Sequence, residues 1–97
     1  MHSQFLLGQI SIRPEVRKLL GREPLDLVAR HAVCEHGQIT RRQFLLNKEG
    51  YNTGGEIRSR YRADPTDKNS PYIEVITRAT WNETVVVLEK EHHGIDF

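Results

Sequence analysis

Three side chains in the first half of the chain are of types that bind metals or transfer protons: His31, Cys34 and His36. Imidazole nitrogen and thiolate sulfur are ligands that zinc prefers, and His92 and His93 offer two more imidazoles far along the chain. The spacing matches no structural zinc motif, because those motifs place a pair of ligands at each end of the site. We therefore expect neither a metal nor another cofactor, and we interpret the histidines as favoured by the dipole at the end of a helix.

Cys34 is also the one cysteine of the chain and so its one candidate thiol nucleophile. A thiolate is disfavoured near the end of a helix, and Cys34 lies three residues before Gly37, where we expect a helix to stop. We therefore predict a partly buried structural thiol and no catalytic residue. An enzymatic alternative is a small hydrolase or toxin-like nuclease that uses His31 with arginines, although a base, a nucleophile and an orienting group do not occur at suitable spacings.

Two loops resemble ligand-binding loops in part of their sequence. The glycine-rich stretch 50–55 precedes Glu56, whereas a phosphate-binding loop carries a lysine at that place, and a glutamate would repel phosphate. Asp64 and Asp67 lack the glycine and the distal glutamate of a calcium-binding loop. Both stretches are therefore predicted to be turns.

Alternation with period two places three arginines on one face of a predicted strand, and we call Arg58, Arg60 and Arg62 the arginine stripe. Like charges so close together repel one another unless anions compensate them. We favour compensation by carboxylates on neighbouring strands, for which the candidates are Glu74, Glu83 and Glu89.

An anionic partner is the alternative form of compensation. The arginine stripe, with Arg41 and Arg42 on a nearby helix, is the candidate binding surface of this chain, for nucleic acid or for a protein. Tyr72 on a neighbouring strand could stack on bases there. Tyr61, in contrast, points to the opposite face of its strand.

The first half of the chain predicts a strand and three helices that would position these residues. Residues 4–12 are rich in β-forming side chains, and Gly8 within them indicates a bulge or a close backbone approach. Pro14 and Gly21 mark the start and the end of a short helix. Pro24 starts a second helix that we expect to end at Gly37, with its buried face at positions 25, 28, 29, 32 and 33.

A capping-box pattern at Thr40 and Gln43 predicts a third short helix up to about Lys48. After residue 56 the hydrophobic period changes to two, which predicts a strand with the arginine stripe, a strand Tyr72–Thr77 and a doubly buried strand Glu83–Leu88. The order is β-α-α-α-β-β-β. This segregation favours an α+β fold, with a three- or four-stranded, mostly antiparallel sheet and two or three short helices on one face.

Length and composition bound the class of protein. The 97 residues suffice for a single domain, in which we expect residues 90–97 to fray. A single cysteine excludes an intramolecular disulfide, and no apolar run approaches the roughly 20 residues of a membrane helix, so we expect a cytoplasmic protein without membrane contact. Residues 13–62 hold eleven Lys and Arg against six Asp and Glu, while residues 63–97 hold three against seven. Short strands expose sheet edges, for which pairing into a homodimer is the expected solution.

A set of residues spread along the chain resembles a known family. They are Leu7-Gly8-Gln9-Ile10, Ala29-Arg30-His31, Gly37, Asn47, Gly54, Ser59, Tyr61, Ile76-Thr77 and Thr84. In this order and at similar separations, the chain resembles the small "plasmid-related" proteins carried on bacterial plasmids and integrative elements. The resemblance implies a mobile-element origin and no mechanism. Cys34, His36 and Arg78 depart from the family pattern, so a site built on them would be peculiar to this chain.

These observations lead to a hypothesis of function. We expect an accessory protein of a bacterial mobile element that binds another protein and is not an enzyme. Nucleic-acid binding through the arginine stripe is the alternative, and hydrolase or nuclease activity is a further one. The candidate binding residues are Arg41, Arg42, Arg58, Arg60 and Arg62.

Overall fold

A computed structural model describes residues 5–89 of the chain. Its elements are β1 (Gln9–Ile12), α1 (Pro14–Leu20), α2 (Leu25–Ala32), α3 (Arg41–Thr53), β2 (Ile57–Arg62), β3 (Tyr72–Thr77), a 3₁₀ turn (Ala79–Trp81) and β4 (Glu83–Leu88). The predicted order β-α-α-α-β-β-β and the α+β class are confirmed. The tail expected to fray, residues 90–97, lies outside the described residues. Within residues 5–89, no helix has the length and apolar character needed to span a bilayer.

The sheet is mixed, with the strand order β1-β4-β3-β2, which corrects the expectation of a mostly antiparallel sheet. Strands β2, β3 and β4 pair antiparallel, as short connections between consecutive strands require. β1 lies on the free side of β4 and runs parallel to it, with Gln9 beside Glu83 and Ile12 beside Val86. Three helices separate β1 from the other strands, so no tight turn sets its direction.

The close approach predicted at Gly8 lies just before β1. Its φ angle is +66°, and a Cβ atom at this position would lie 2.2 Å from the backbone of Asn82. Glycine is therefore required here both by the backbone conformation and by the contact. It lets the chain enter the sheet beside the start of β4.

One face of the sheet forms the core with α1 and α2. Along β2, the buried face carries Ile57, Ser59 and Tyr61, and the arginine stripe lies on the other face. From the helices, α1 contributes Val16 and α2 contributes two residues. The core cluster comprises Val16, Leu27, Val28, Tyr61, Ile73, Val75 and Val86.

The second helix ends earlier than expected and buries a different face. α2 stops at Ala32, five residues before the expected end at Gly37, and Cys34 takes a left-handed conformation (φ +66°). The N–H of Glu35 then donates to the carbonyl of Arg30 at 2.9 Å, which closes the helix end. Leu25 is 61% exposed, and the core position is taken by His31 instead. Cys34 therefore follows α2 and is not part of it.

The third helix begins as predicted and continues further. The Thr40 side chain accepts a hydrogen bond from the N–H of Gln43, which confirms the cap. The helix runs through Gly50 to Thr53, so most of the glycine-rich stretch is helical and not a turn. Glycine suits position 50 because α3 packs closely against Ile57 there. A Cβ atom at this position would lie 2.7 Å from Cδ1 of Ile57.

The two edges of the sheet differ. On β2, the Asn47 side chain donates to the Arg58 carbonyl (2.8 Å) and accepts from the Arg58 N–H (2.9 Å). Two residues along, the Arg60 N–H donates to the His36 carbonyl, and the Arg60 carbonyl accepts from the Gln38 N–H. This edge is thereby closed by a side chain and by the segment 36–38. β1 forms the opposite edge.

Candidate functional site

A chain of hydrogen bonds between buried side chains connects the two histidines to the sheet. His31 comes from the last turn of α2 and His36 from the segment that follows, while Ser59 lies in the middle of β2. Oγ of Ser59 lies 2.5 Å from Nδ1 of His31 and 2.5 Å from Nδ1 of His36. His31 and Ser59 are fully buried. The structure thus brings two of the three candidate metal ligands, His31 and His36, to the hydroxyl of one serine.

The direction of these hydrogen bonds is set at one end by a backbone carbonyl. Thr84 donates to the carbonyl oxygen of Leu7 at 2.6 Å, and a carbonyl can only accept. Because the Thr84 proton is used, Thr84 accepts from Thr77 at 2.7 Å. Thr77 in turn accepts from Nε2–H of His31 at 2.9 Å. His31 is therefore the Nε2–H tautomer, with an acceptor at Nδ1.

The rest of the chain follows from that tautomer. Ser59 donates to Nδ1 of His31, so it accepts from Nδ1–H of His36. Nε2 of His36 then accepts from the Tyr51 hydroxyl. The Cys34 side chain contacts the same hydroxyl. The result is a one-directional chain from Tyr51 to the Leu7 carbonyl, in which the hydroxyls of Ser59, Thr77 and Thr84 each donate one hydrogen bond and accept another.

Both rings are uncharged at neutral pH. Burial, assisted by the nearby His36, lowers the pKa of His31 to about 3, and burial lowers the pKa of His36 to about 4. Burial also raises the pKa of the Tyr51 phenol, with contact to Cys34 as the second cause. The interpretation that a helix dipole favours charged histidines is therefore wrong: they are placed as neutral hydrogen-bonding groups.

This arrangement fits a structural role better than catalysis. Each histidine uses both ring nitrogens, and the Ser59 hydroxyl is sealed from solvent. His31 lies on the core face of β2 and the arginine stripe on the other, so the structure does not bring His31 together with the arginines of the stripe. Within residues 5–89, no group of three or more His, Cys, Asp or Glu side chains could hold a metal. His92 and His93 lie outside the described residues.

The arginine stripe is compensated by carboxylates of its own chain. Arg58 pairs with Glu56 at 2.9 Å and with Glu74 at 3.7 Å, and Arg60 pairs with Glu89 at 3.4 Å. Burial raises the pKa of Glu74, and the Arg58 guanidinium opposes that effect. Pairing with a neighbouring strand, the solution favoured above, therefore occurs for Arg58 and Glu74 of β3. Arg60 pairs with Glu89, which follows β4 two strands away, and Glu83 pairs with Arg78 instead.

The remaining contacts of the stripe also lie within the chain. The guanidinium carbon of Arg60 lies 4.3 Å from the centre of the Tyr72 ring, and that of Arg62 lies 5.1 Å from it. Arg62 donates to the Lys68 carbonyl at 2.6 Å. Tyr72 therefore shares the face of the stripe, as expected, but its ring packs against the guanidinium groups of Arg60 and Arg62.

Helix α3 buries polar residues and exposes apolar ones, which is the reverse of an ordinary surface helix. The residues that it buries are Gln43, Asn47 and Gly50. The consecutive apolar residues Phe44, Leu45 and Leu46 are 47%, 50% and 44% exposed. At 100° per residue, Leu45 lies opposite the buried face. We call Phe44, Leu45 and Leu46, with Arg41, Arg42 and Lys48 beside them, the α3 face.

The inverted polarity has a structural cause. The buried Asn47 replaces a neighbouring strand at Arg58, and Gln43 donates to Asn47 Oδ1 at 2.9 Å, which orients the amide. Only polar groups can satisfy the backbone of a sheet edge. The apolar residues of α3 are thus left on the outside.

The cations of the α3 face lack the compensation found on the stripe. Among the ion pairs within residues 5–89, none involves Arg41, Arg42 or Lys48. The Lys48 ammonium lies 5.7 Å from the centre of the Phe44 ring, and Glu49 is the one acidic residue of α3. Within residues 5–89, the structure therefore separates Arg58 and Arg60 of β2, which have carboxylate partners, from Arg41 and Arg42 of α3, which have none.

Sequence reasoning missed the exposure of the apolar residues on α3. The run Phe44-Leu45-Leu46 is a signal in itself, since three consecutive apolar residues cannot share one face of a helix.

Comparisons with protein-family models, with curated proteins and with solved structures found no match to this chain. The geometry of the α3 face and of the histidine chain is therefore the basis for a function.

Proposed function

We propose that this chain is a non-enzymatic protein-interaction protein that binds its partner through the α3 face. The observation that carries the proposal is the inverted polarity of α3, which exposes Phe44, Leu45 and Leu46 around the half of the helix opposite its buried residues. Large apolar residues that are exposed together and bordered by polar ones are typical of a protein-binding surface. The mobile-element origin and the cytoplasmic location remain predictions that rest on the resemblance and on composition.

The charge of the α3 face indicates the chemistry of the partner. Three cations border the apolar residues against the single carboxylate of Glu49. A helix with a leucine-like stripe bordered by Asp and Glu complements this surface, because it covers the apolar residues and pairs with Arg41 and Arg42. We therefore propose an acidic, amphipathic helix of another protein as the occupant.

Nucleic acid is less well supported than a protein partner. The arginine stripe, its proposed binding surface, is engaged with Glu74, Glu89 and Tyr72 within the chain. The cations of the α3 face have no ion-pair partner within residues 5–89, but the centre of this face is Leu45, and aliphatic side chains do not bind phosphates. Both features favour a protein.

Synthetic helical peptides test the proposal directly. Three peptides share one leucine stripe: one bordered by Glu, one bordered by Lys, and a scrambled acidic sequence of equal charge. We expect the acidic amphipathic peptide to bind at least tenfold more tightly than the other two in fluorescence anisotropy at about 150 mM salt, which corresponds to about 1.4 kcal/mol.

Matched variants locate the binding on α3. Leu45→Glu changes an exposed residue, so the fold should be retained while peptide binding falls at least tenfold. Asn69→Glu adds the same charge in the exposed β2–β3 loop and should leave binding unchanged. Equal binding of the acidic and basic peptides, or full binding by the Leu45→Glu variant, would contradict the proposal.

A further inference from the structure

The backbone of β1 is hydrogen-bonded to the sheet on one side only. The N–H groups of Gln9 and Arg13 donate to Asn82 and Val86 at 2.9 and 3.0 Å. In a strand the backbone groups alternate in direction, so those of Ile10 and Ile12 point away from β4. In the described part of the chain, no backbone group pairs with them. The Ile12 carbonyl accepts only from the Arg17 side chain, at 3.3 Å, which leaves its second lone pair free.

The side chains of β1 suit a strand neighbour. None of its four residues is charged, and Ile10 is 42% exposed. The opposite edge, β2, is closed by Asn47 and by the segment 36–38, as described above. Natural edge strands are commonly protected by charges, prolines or bulges, and β1 has none of these within Gln9–Ile12.

We propose that a second copy of this chain pairs antiparallel with β1 across a two-fold axis at Ser11. The outward-pointing groups set the register. Ile10 of one copy lies opposite Ile12 of the other, and each such pair exchanges two hydrogen bonds, so the two copies share four. The isoleucine side chains meet on the helix side of the joined sheets. Arg13 falls opposite Gln9, so the two-fold axis brings no like charges together.

Molar mass in solution tests the pairing. Light scattering at about 100 µM should give twice the 11.3 kDa of the chain. Ile10→Lys should halve this mass, because two lysines would face the joint, while circular dichroism shows that the variant is folded. Leu45→Glu should remain dimeric, which separates this interface from the α3 face. A wild-type mass of one chain at about 100 µM would overturn the proposal without affecting the proposed function.

A cross-link tests the register. In a Cys34→Ser background, Ser11→Cys places the two thiols opposite each other in a non-hydrogen-bonded pair, where Cα atoms about 4.5 Å apart permit a disulfide. Gln9→Cys in the same background lies on the same face but opposite Arg13, so it should not cross-link. We expect mild oxidation to yield a covalent dimer for Ser11→Cys only. Equal cross-linking at positions 9 and 11 would overturn the assigned register.

Discussion

At the scale of single residues, the buried histidines link the free energy of unfolding to pH. His31 and His36 titrate near pH 6.5 in the unfolded chain but at about 3 and 4 when folded. A lowered folded pKa stabilises the protein fully above pH 6.5, and this stability is lost as the pH falls toward the folded values. For His31 alone the loss is about 1.4 kcal/mol per pH unit, or about 2 kcal/mol between pH 7 and 5.

Denaturant unfolding at pH 7, 6 and 5 measures this loss. The variant His36→Gln removes one titrating ring, and the pH dependence should then be clearly shallower, whatever the absolute stability of the variant. A wild-type free energy of unfolding that is constant within about 0.5 kcal/mol over this range would show that the histidines are not buried as neutral groups.

The sequence showed the histidines as a group but not their role. Residues 31 and 36 are five positions apart, whereas Ser59 is 28 and 23 positions away from them. Only the pairing of α2 with the core face of β2 brings the serine between the rings. A long-range contact of this kind has no signature in local spacing, so the metal and dipole interpretations were the available ones.

At the scale of elements, Gly50 decides how closely α3 approaches β2. By helix propensity, Gly50→Ala should stabilise α3 by about 1 kcal/mol. The new Cβ would lie 2.7 Å from Cδ1 of Ile57 and 2.8 Å from the backbone oxygen of Glu56, so the helix must move. We expect the contact to outweigh propensity and to lower the free energy of unfolding by about 1–2 kcal/mol.

Thermal and denaturant unfolding check the sign of this effect. Asn52→Ala on the exposed side of α3 is the matched control, because it gains propensity without a contact and should be neutral or slightly stabilising. Should both alanine variants be more stable than the wild type, α3 would not be held against β2 at Gly50.

Elements with strong local signals were predictable. Pro14 and Gly21 bound α1, alternation of side chains indicated β2, and the run of apolar residues indicated β4. The end of α2 was misplaced because Cys34, a residue with a Cβ, takes a left-handed conformation three residues before Gly37, which also takes one. The polarity of α3 escaped prediction for another reason. Its buried polar side chains form hydrogen bonds at the exposed backbone of an edge strand, and a pattern of apolar residues does not reveal such contacts.

At the scale of the whole molecule, the arrangement of charge argues against binding of nucleic acid. Two arginines of the stripe pair with Glu74 and Glu89, and the net charge of the chain is +1. Three phosphate contacts would give a slope of about −2.7 in a plot of log affinity against log salt. We expect no measurable binding of duplex or single-stranded nucleic acid at about 150 mM salt, and only weak binding at low salt.

Fluorescence anisotropy over a salt series provides the measurement. Arg60→Ala removes the central residue of the stripe, and Arg13→Ala, a cation outside both candidate surfaces, is the control. Sub-micromolar affinity at about 150 mM salt that Arg60→Ala weakens and Arg13→Ala does not would make nucleic acid the leading function.

The closed edge of β2 limits how far the sheet can extend. Within residues 5–89 the sheet has one open edge, β1, so the pairing proposed above would leave no open edge in the described part of the pair. The product would then be a finite pair and not a fibre. The proposed joined sheet has eight strands, and its two outer β2 strands, beside which the α3 helices pack, lie roughly 34 Å apart at about 4.8 Å per strand spacing. Such a pair is bivalent. A partner with two acidic helices, or an array of partners, would be held by avidity about 10² to 10⁴ times more strongly than one site alone holds it.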